Sequence, residues 1–237
     1  MNAKAEWLAL TEEIPLEPAL PICDAHHHFW NDGREADFLP ADMVADIGGN
    51  NVVSSVFCEA TWAYRQEGPE ALKPVGETEA VAALPLPPGR RLAAALVGYA
   101  DLRLGARVEA VLEAHLAASD RFRGVRFWST WDENPAEVEC RHVAPRGLLA
   151  DPAFREGVAA LGRHDLVFDA WMFFHQLPDL VALAQAFPDI PMVAGHFGGL
   201  IGVGRYADRK AWLPQWQRNI AALARDRKST RLNSSHT

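Results

Sequence analysis

The stretch Pro21-Ile22-Cys23-Asp24-Ala25-His26-His27-His28-Phe29 decides how this chain is read. A short apolar run leads into a D-x-H-x-H pattern where a first β-strand would end. Successive side chains of a strand alternate faces, so Ile22, Asp24, His26 and His28 point one way and Cys23, Ala25, His27 and Phe29 the other. Two imidazoles on one face at a strand end have the spacing of a metal site. The plainer alternative is a histidine cluster that only hydrogen-bonds. His27, on the opposite face, is expected to be structural.

Outward from this strand, apolar runs with β-branched character recur at 22–29, 51–59, 92–100, 122–129, 166–174 and 191–196. Helical patterns lie between them. Ala106 to Ala118 is amphipathic and rich in Ala, Leu and Val, and Asp151 followed by Pro152 supplies an N-cap and a first-turn proline for a helix over 152–163. Pro178 opens another helix, with Leu180, Leu183, Ala184 and Phe187 as its apolar face, and Trp212, Trp216, Ile220 and Leu223 mark a last one. Six βα units with parallel strands predict an α/β fold, an incomplete (β/α)8 TIM barrel in residues 1–225 with two units missing. An open doubly wound sheet is the competing architecture, because Gly202 to Ala207 matches G-x-G-x-x-A. Those glycines do not follow directly on a strand, and no second strand with a ribose-binding acid comes after them, so a dinucleotide site is not expected.

Composition excludes several classes of function. The 237 residues are 49% hydrophobic with a net charge of −8, enough apolar content for one acidic domain with a sizeable core. Asp and Glu outnumber Lys and Arg by 31 to 23 and no basic stripe exists, so nucleic acid is not an expected partner. Cys23, Cys58 and Cys140 are widely spaced and lack C-x-x-C, which fits a reducing cytoplasm. Glu6, Glu12 and Glu13 around Trp7 and Leu8 do not make a signal peptide, and no run reaches transmembrane length. Residues 226–237 are expected to be foreign: 226–236 spell D-R-K-S-T-R-L-N-S-S-H, the peptide that one frame of a common short-read library adapter encodes. The alternative is a disordered natural tail.

Parallel βα barrels gather their active sites at the C-terminal ends of the strands, so the strand-end residues are the candidates. The first strand offers His26 and His28. The second ends in Glu59, with Thr61, Trp62, Tyr64 and Arg65 following; Glu59 either lines a site or simply caps or pairs with Arg65. The fourth places Arg126 and Trp128 on one face, where a buried cation needs a carboxylate or an anionic substrate. His175 and Gln176 end the fifth, and His196 ends the sixth. His115, His142 and His164 have no such placement and are read as solvated or structural.

With these residues in view the chain resembles the amidohydrolase-related family of TIM-barrel hydrolases, in the lactone-hydrolysing branch similar to fuconolactonase and sulfomuconolactonase. The resemblance rests on D-A-H-H-H-F-W at 24–30, E-G-P-E-A-L-K-P-V-G-E-T-E at 67–79 and R-F-R-G-V-R-F-W at 121–128. It continues in L-L-A-D-P-A-F-R at 148–155, F-D-A-W at 168–171, H-Q-L-P-D-L at 175–180 and G-H-F-G-G at 195–199, and covers about residues 20 to 225. It implies that His26, His28 and a later histidine, His175, hold one divalent ion, Zn or Mn. His196, His175 and Arg126 would then act on the scissile carbonyl, while Glu59, Tyr64, Arg65, Arg126 and Trp128 surround the substrate. Members working without metal are also implied. Gly195 stands where the family often has Asp or Asn, Phe127 where a histidine commonly follows the arginine, and the superfamily's catalytic carboxylate would lie beyond Arg225. The bridging ligand of two-metal members is a lysine on the fourth strand; the lysines here are Lys4, Lys73, Lys210 and Lys228, so at most one ion is expected.

The expected activity is hydrolysis of a small, anionic lactone, ester or amide by activated water. A metal-dependent decarboxylase of an aromatic or unsaturated acid is the rival, and an inactive fragment is the reading for the literal chain. Neither a membrane nor nucleic acid is an expected partner, and oligomeric state is left open.

Overall fold

The computed structural model describes residues 10, 14–33, 36–140, 142–225 and 230–232. Seven parallel strands pair strictly in chain order: β1 (Ile22–His27), β2 (Val52–Cys58), β3 (Arg91–Gly98), β4 (Phe122–Trp128), β5 (Val167–Trp171), β6 (Met192–Ala194) and β7 (Thr230–Leu232). Parallel neighbours require crossover connections. These carry α1 (Pro40–Ile47), α2 (Val75–Ala83), α3 (Glu109–Ala118), α4 (Pro152–Arg163), α5 (Leu177–Ala186) and α6 (Arg209–Arg225). The sheet curls with its helices as an incomplete (β/α)8 barrel. Each of the six strands read from the apolar runs begins within one residue of its expected start. β7 was not foreseen; it lies inside the stretch read as a foreign tail, whose residues 226–229 and 233–237 fall outside the described residues. The residues of the signal-peptide argument, Glu6, Trp7, Leu8, Glu12 and Glu13, also fall outside them. No helix among the described residues is long and apolar enough to cross a membrane.

Local chemistry explains the helix boundaries. The Asp151 carboxylate accepts from the Phe154 backbone N–H at 2.9 Å, and Pro152 follows at the first helical position, so α4 begins where a capped helix should. The helix read from Ala106 starts at Glu109 instead. Gly105 sits at φ 60°, and short 3-10 turns over Leu102–Val108 precede the regular helix. Gly157 of α4 packs on these turns so closely that a Cβ would stand 2.1 Å from the Leu102 carbonyl oxygen.

Strand alternation divides the core from the site. Phe127 on β4 and Phe168 on β5 point to the helical layer and meet Phe154 of α4 at ring-centroid distances of 5.1 and 6.0 Å. Each such fully buried ring stabilises the fold by about 2–3 kcal/mol. The next residues along, Arg126 and Trp128 on β4, lie beside Asp169 and Trp171 on β5 in exact ladder register and point to the barrel interior. His27 is buried in the outer layer, its Nε2 2.9 Å from Ser55 Oγ and its ring against Phe29 and Phe57. His115 is buried on α3 between Thr78 Oγ1 and the Tyr99 carbonyl, stacked on Phe122, and burial pushes its imidazole down to about 4.

Among the described residues β1 pairs only with β2 and β7 only with β6. Unpaired strand edges template association with further chains. Light scattering coupled to size exclusion is expected to show a mass that rises with protein concentration; a monomer throughout would contradict this.

Candidate active site

The strand ends bring six side chains to one floor. His26, fully buried, lies near the end of β1, and its Nε2 is 3.2 Å from Nε2 of half-buried His28. The His28 Nδ1 is 2.7 Å from the Cys58 carbonyl oxygen, and only a protonated Nδ1 can bond there. In the neutral imidazole Nε2 of His28 is then the unprotonated nitrogen, and its lone pair faces His26. Fixing an imidazole through its second nitrogen on a backbone carbonyl is how proteins orient a metal-ligating histidine. The pair shares one face, as the alternation predicts.

Glu59, directly after β2, and Asp169 on β5 are buried carboxylates flanking Arg126, itself only 5% exposed. Arg126 donates to the Glu59 carbonyl oxygen at 3.1 Å and to His196 Nε2 at 3.1 Å. A guanidinium only donates, so His196 accepts at Nε2 and carries its proton on Nδ1. The His196 ring lies 5.3 Å from that of His26 and 4.0 Å from that of Trp171. Glu59 also accepts from the Trp128 indole and from the Thr61 backbone N–H, so it does not pair with Arg65. Burial raises the Glu59 carboxyl above its usual range against the opposing pull of Arg126. Burial likewise lifts Asp169, to about 6, with Arg126 opposing and Glu59 adding to the rise. The Cys58 thiol is pushed well up, by burial first and then by Asp169, and stays protonated to face Asp169 Oδ2 at 3.9 Å.

Above this floor opens a cavity of about 550 Å³ whose wall includes His28, Trp30, Glu59, Arg126, Trp128 and His196. Tyr64 bonds Glu59 from beside this floor, and other candidates lie elsewhere. Tyr64 lines an adjoining cavity of about 420 Å³ that shares Glu59 and Trp128. Arg65 is bound to Glu79 at the surface. His175 is not brought to His26 and His28. β5 ends at Trp171, and a short 3-10 turn over Phe174–Gln176 carries the imidazole to Asp132, with His175 Nε2 3.2 Å from Asp132 Oδ2.

Asp132, on the loop after β4, has a fully buried side chain and gathers bonds from three loops. Tyr206 and Arg205, beyond β6, donate to its Oδ2 at 2.9 and 3.0 Å, and the Asn134 backbone N–H to its Oδ1 at 2.8 Å. Burial pushes its carboxyl up, but the bonds from Asn134 and Tyr206 and the charge of Arg205 outweigh it and hold it below the usual range. The loop it anchors supplies Thr130, Val138, Cys140 and His142 to the cavity wall. His142, read as solvated or structural, is solvent-exposed but packs its ring 3.6 Å from that of Trp128.

Asp169 and Cys58 were absent from the candidates. Ladder register and period two carry the missing signal: Asp169 sits two residues before Trp171 and opposite Arg126.

The sequence model of one protein family, described as amidohydrolase, matches residues 23–235. The L-fucono-1,5-lactonase of Burkholderia ambifaria is 27% identical over 190 residues, which cover 73% of this chain and 55% of that enzyme. An uncharacterized protein of Sinorhizobium fredii, y4mH, is 24% identical over 226 residues, covering 86% of this chain and 69% of that one. In fold, the chain is similar to an amidohydrolase from Burkholderia multivorans solved with bound zinc, with a TM-score of 0.63 at 24% identity, covering 89% of this chain and 68% of that one. The chain thus spans between about half and two thirds of the length of these proteins.

Proposed function

This chain belongs to the amidohydrolase family and is a hydrolase, and from that premise we propose that its strand-end cavity hydrolyses a small lactone, ester or amide, a six-membered lactone being the nearest class to its relatives. The observation that carries the reading is the oriented His28, its lone pair turned to His26 at the floor of the cavity. A zinc-type cation fits this donor set, since two neutral imidazoles and a buried carboxylate are its ordinary ligands. Bound by His26 and His28, such an ion would lower the pKa of water and polarise a carbonyl.

The protein's own groups supply the rest. Trp128 and Trp171 give flat apolar walls for a ring, and Arg126 on the wall favours an anionic substrate. Glu59 is held by Trp128 and Thr61, and its raised carboxyl suits it to take the proton of an attacking water. His196, tied to Arg126 at Nε2, keeps Nδ1–H as a donor. In the reaction water oxygen bonds to the carbonyl carbon, the acyl–oxygen bond of the ring breaks, and the leaving oxygen takes a proton. The hydroxy acid formed then releases one proton at neutral pH. A decarboxylase would instead release carbon dioxide, and no feature of the cavity favours it.

Cys23, Cys58 and Cys140 are free thiols, which supports a cytoplasmic location. We further propose that residues 226–237 are not native and stand in place of the remaining barrel units, so that the literal chain, its cavity wall incomplete, turns over poorly. The test assays acid release from a panel of 1,5-lactones by this chain and by one continued from Arg225 with the codons found downstream in the genome. Turnover by the continued chain is expected, with little or none by the 237-residue chain. No acid release by either from any lactone, ester or amide would overturn the hydrolase assignment of this cavity, and genomic codons for 226–236 would overturn the foreign tail.

A further inference from the structure

We infer that Asp169 is the third protein ligand of the cation held by His26 and His28, through its Oδ1, with the remaining position open to the cavity. The inference rests on the metal reading above and deepens it. Three observations carry it.

The first is an orphaned atom. Asp169 is 3% exposed, and its Oδ1 makes no hydrogen bond among the described residues. A buried carboxylate oxygen without a partner is destabilising unless a cation or a donor meets it. Arg126 is its neighbour across the ladder, but Arg126 Nε also makes no hydrogen bond, and its Nη atoms go to Glu59 and His196. The guanidinium therefore leaves Oδ1 unbonded.

The second is proximity. Candidate ligand atoms of His26, Cys58 and Asp169 lie within 4.8 Å of one another, and the three residues are buried. This group shares His26 with the His26–His28 contact, whose Nε2 atoms lie 3.2 Å apart.

The third is charge. Two buried carboxylates, Glu59 and Asp169, face one buried guanidinium. That group is one positive charge short, and a divalent ion on Asp169 reverses the deficit, leaving a net charge of +1.

Cys58 is assigned a different part. Its thiol faces the other carboxylate oxygen, Oδ2, at 3.9 Å and leaves Oδ1 without a bond. A thiolate ligand would close the site as a fourth protein donor, whereas two histidines and one carboxylate leave a position for water.

The experiment is a titration of the chelator-stripped, dialysed 237-residue chain with Zn²⁺ alone against a chromophoric chelator, and with Co²⁺ alone by absorption spectroscopy. One ion per chain is expected. Asp169→Asn should weaken Zn²⁺ binding at least 100-fold, and Asp169→His, which restores a ligand atom, should recover most of it. His164→Ala, whose imidazole pairs with Glu109 away from the cavity, should change nothing. Near-UV circular dichroism confirms that each variant is folded; should Asp169→Asn not fold, the Co²⁺ spectrum of the parent and the Asp169→His titration decide. No sulfur-to-cobalt charge-transfer band is expected. Wild-type affinity in Asp169→Asn, loss of binding in Asp169→His, or a thiolate band would each overturn the assignment of Asp169 while leaving the His26–His28 site standing. Failure of the parent chain to bind either ion would overturn both.

Discussion

An Arg126→Met chain, studied with a chelator present, is expected to lose about 3–5 kcal/mol of folding stability, because removing one member of a buried ionic group leaves its partners uncompensated. Methionine keeps the length and apolar stem of the side chain but leaves Glu59 and Asp169 buried without their cation, and His196 without its donor. The pH dependence has a definite sign. Both carboxyls are raised in the folded protein, Asp169 to about 6, above their values in an unfolded chain. Between about pH 4, where an unfolded Asp titrates, and pH 6 the folded state holds protons that the unfolded state has released. The stabilising effect of this protonation is present at low pH and is lost as pH rises through the folded value. Without Arg126, whose charge lowers both carboxyls, the window extends upward. The deficit of the variant should therefore be largest above pH 7 and shrink toward pH 5. Urea denaturation at several pH values measures it; a loss below about 1 kcal/mol at pH 7.5, the range of ordinary surface substitutions, would refute the buried-triad picture.

Gly199→Ala is expected to be as damaging, by about 3–5 kcal/mol, in the range of severe single substitutions. The turn His196–Gly199 that presents His196 runs through positive φ at all four residues, 51°, 52°, 73° and 63°. At Gly199 the backbone passes so close to the end of β5 that an added Cβ would stand 1.9 Å from the Met172 carbonyl oxygen and 3.0 Å from Phe173 Cα. Backbone atoms cannot swing aside as a side-chain tip can. Gly147 separates the two costs, since it also has positive φ, 74°, but open space where a Cβ would go. Gly147→Ala should cost only about 1 kcal/mol, the conformational part alone. Thermal or urea unfolding of the two variants side by side checks this, and equal losses would show that the close approach at Met172 adds no cost of its own.

The strands were legible because a parallel sheet covered by helices turns its strands into apolar runs, and such runs carry their own punctuation. The His26–His28 pair was legible for a second reason: period two is rigid enough to say which side chains share a face. Past the end of a strand that rule lapses. His175 stands four residues beyond the end of β5, and the turn at Phe174–Gln176 sent it to Asp132, a partner 43 positions away in the chain. The same rule places Asp169 on the interior face once the register of β5 against β4 is known. Asp132 was beyond reach, because its partners come from three loops whose meeting depends on the whole curl of the sheet. α2 was hard to read for a different reason: its apolar and polar residues are distributed almost evenly around its axis.

The Asp132 cluster sets which parts of the cavity wall can change independently. The loops after β4, β5 and β6 meet at one buried carboxylate, so a substitution that lengthens or redirects any one of them must be matched in the other two or leave a charge stranded. That half of the wall resists piecemeal alteration. Trp30 and Thr61 face it from the loops after β1 and β2. Reshaping the cavity for a substrate of another size, by natural drift or by design, would find its tolerant positions there.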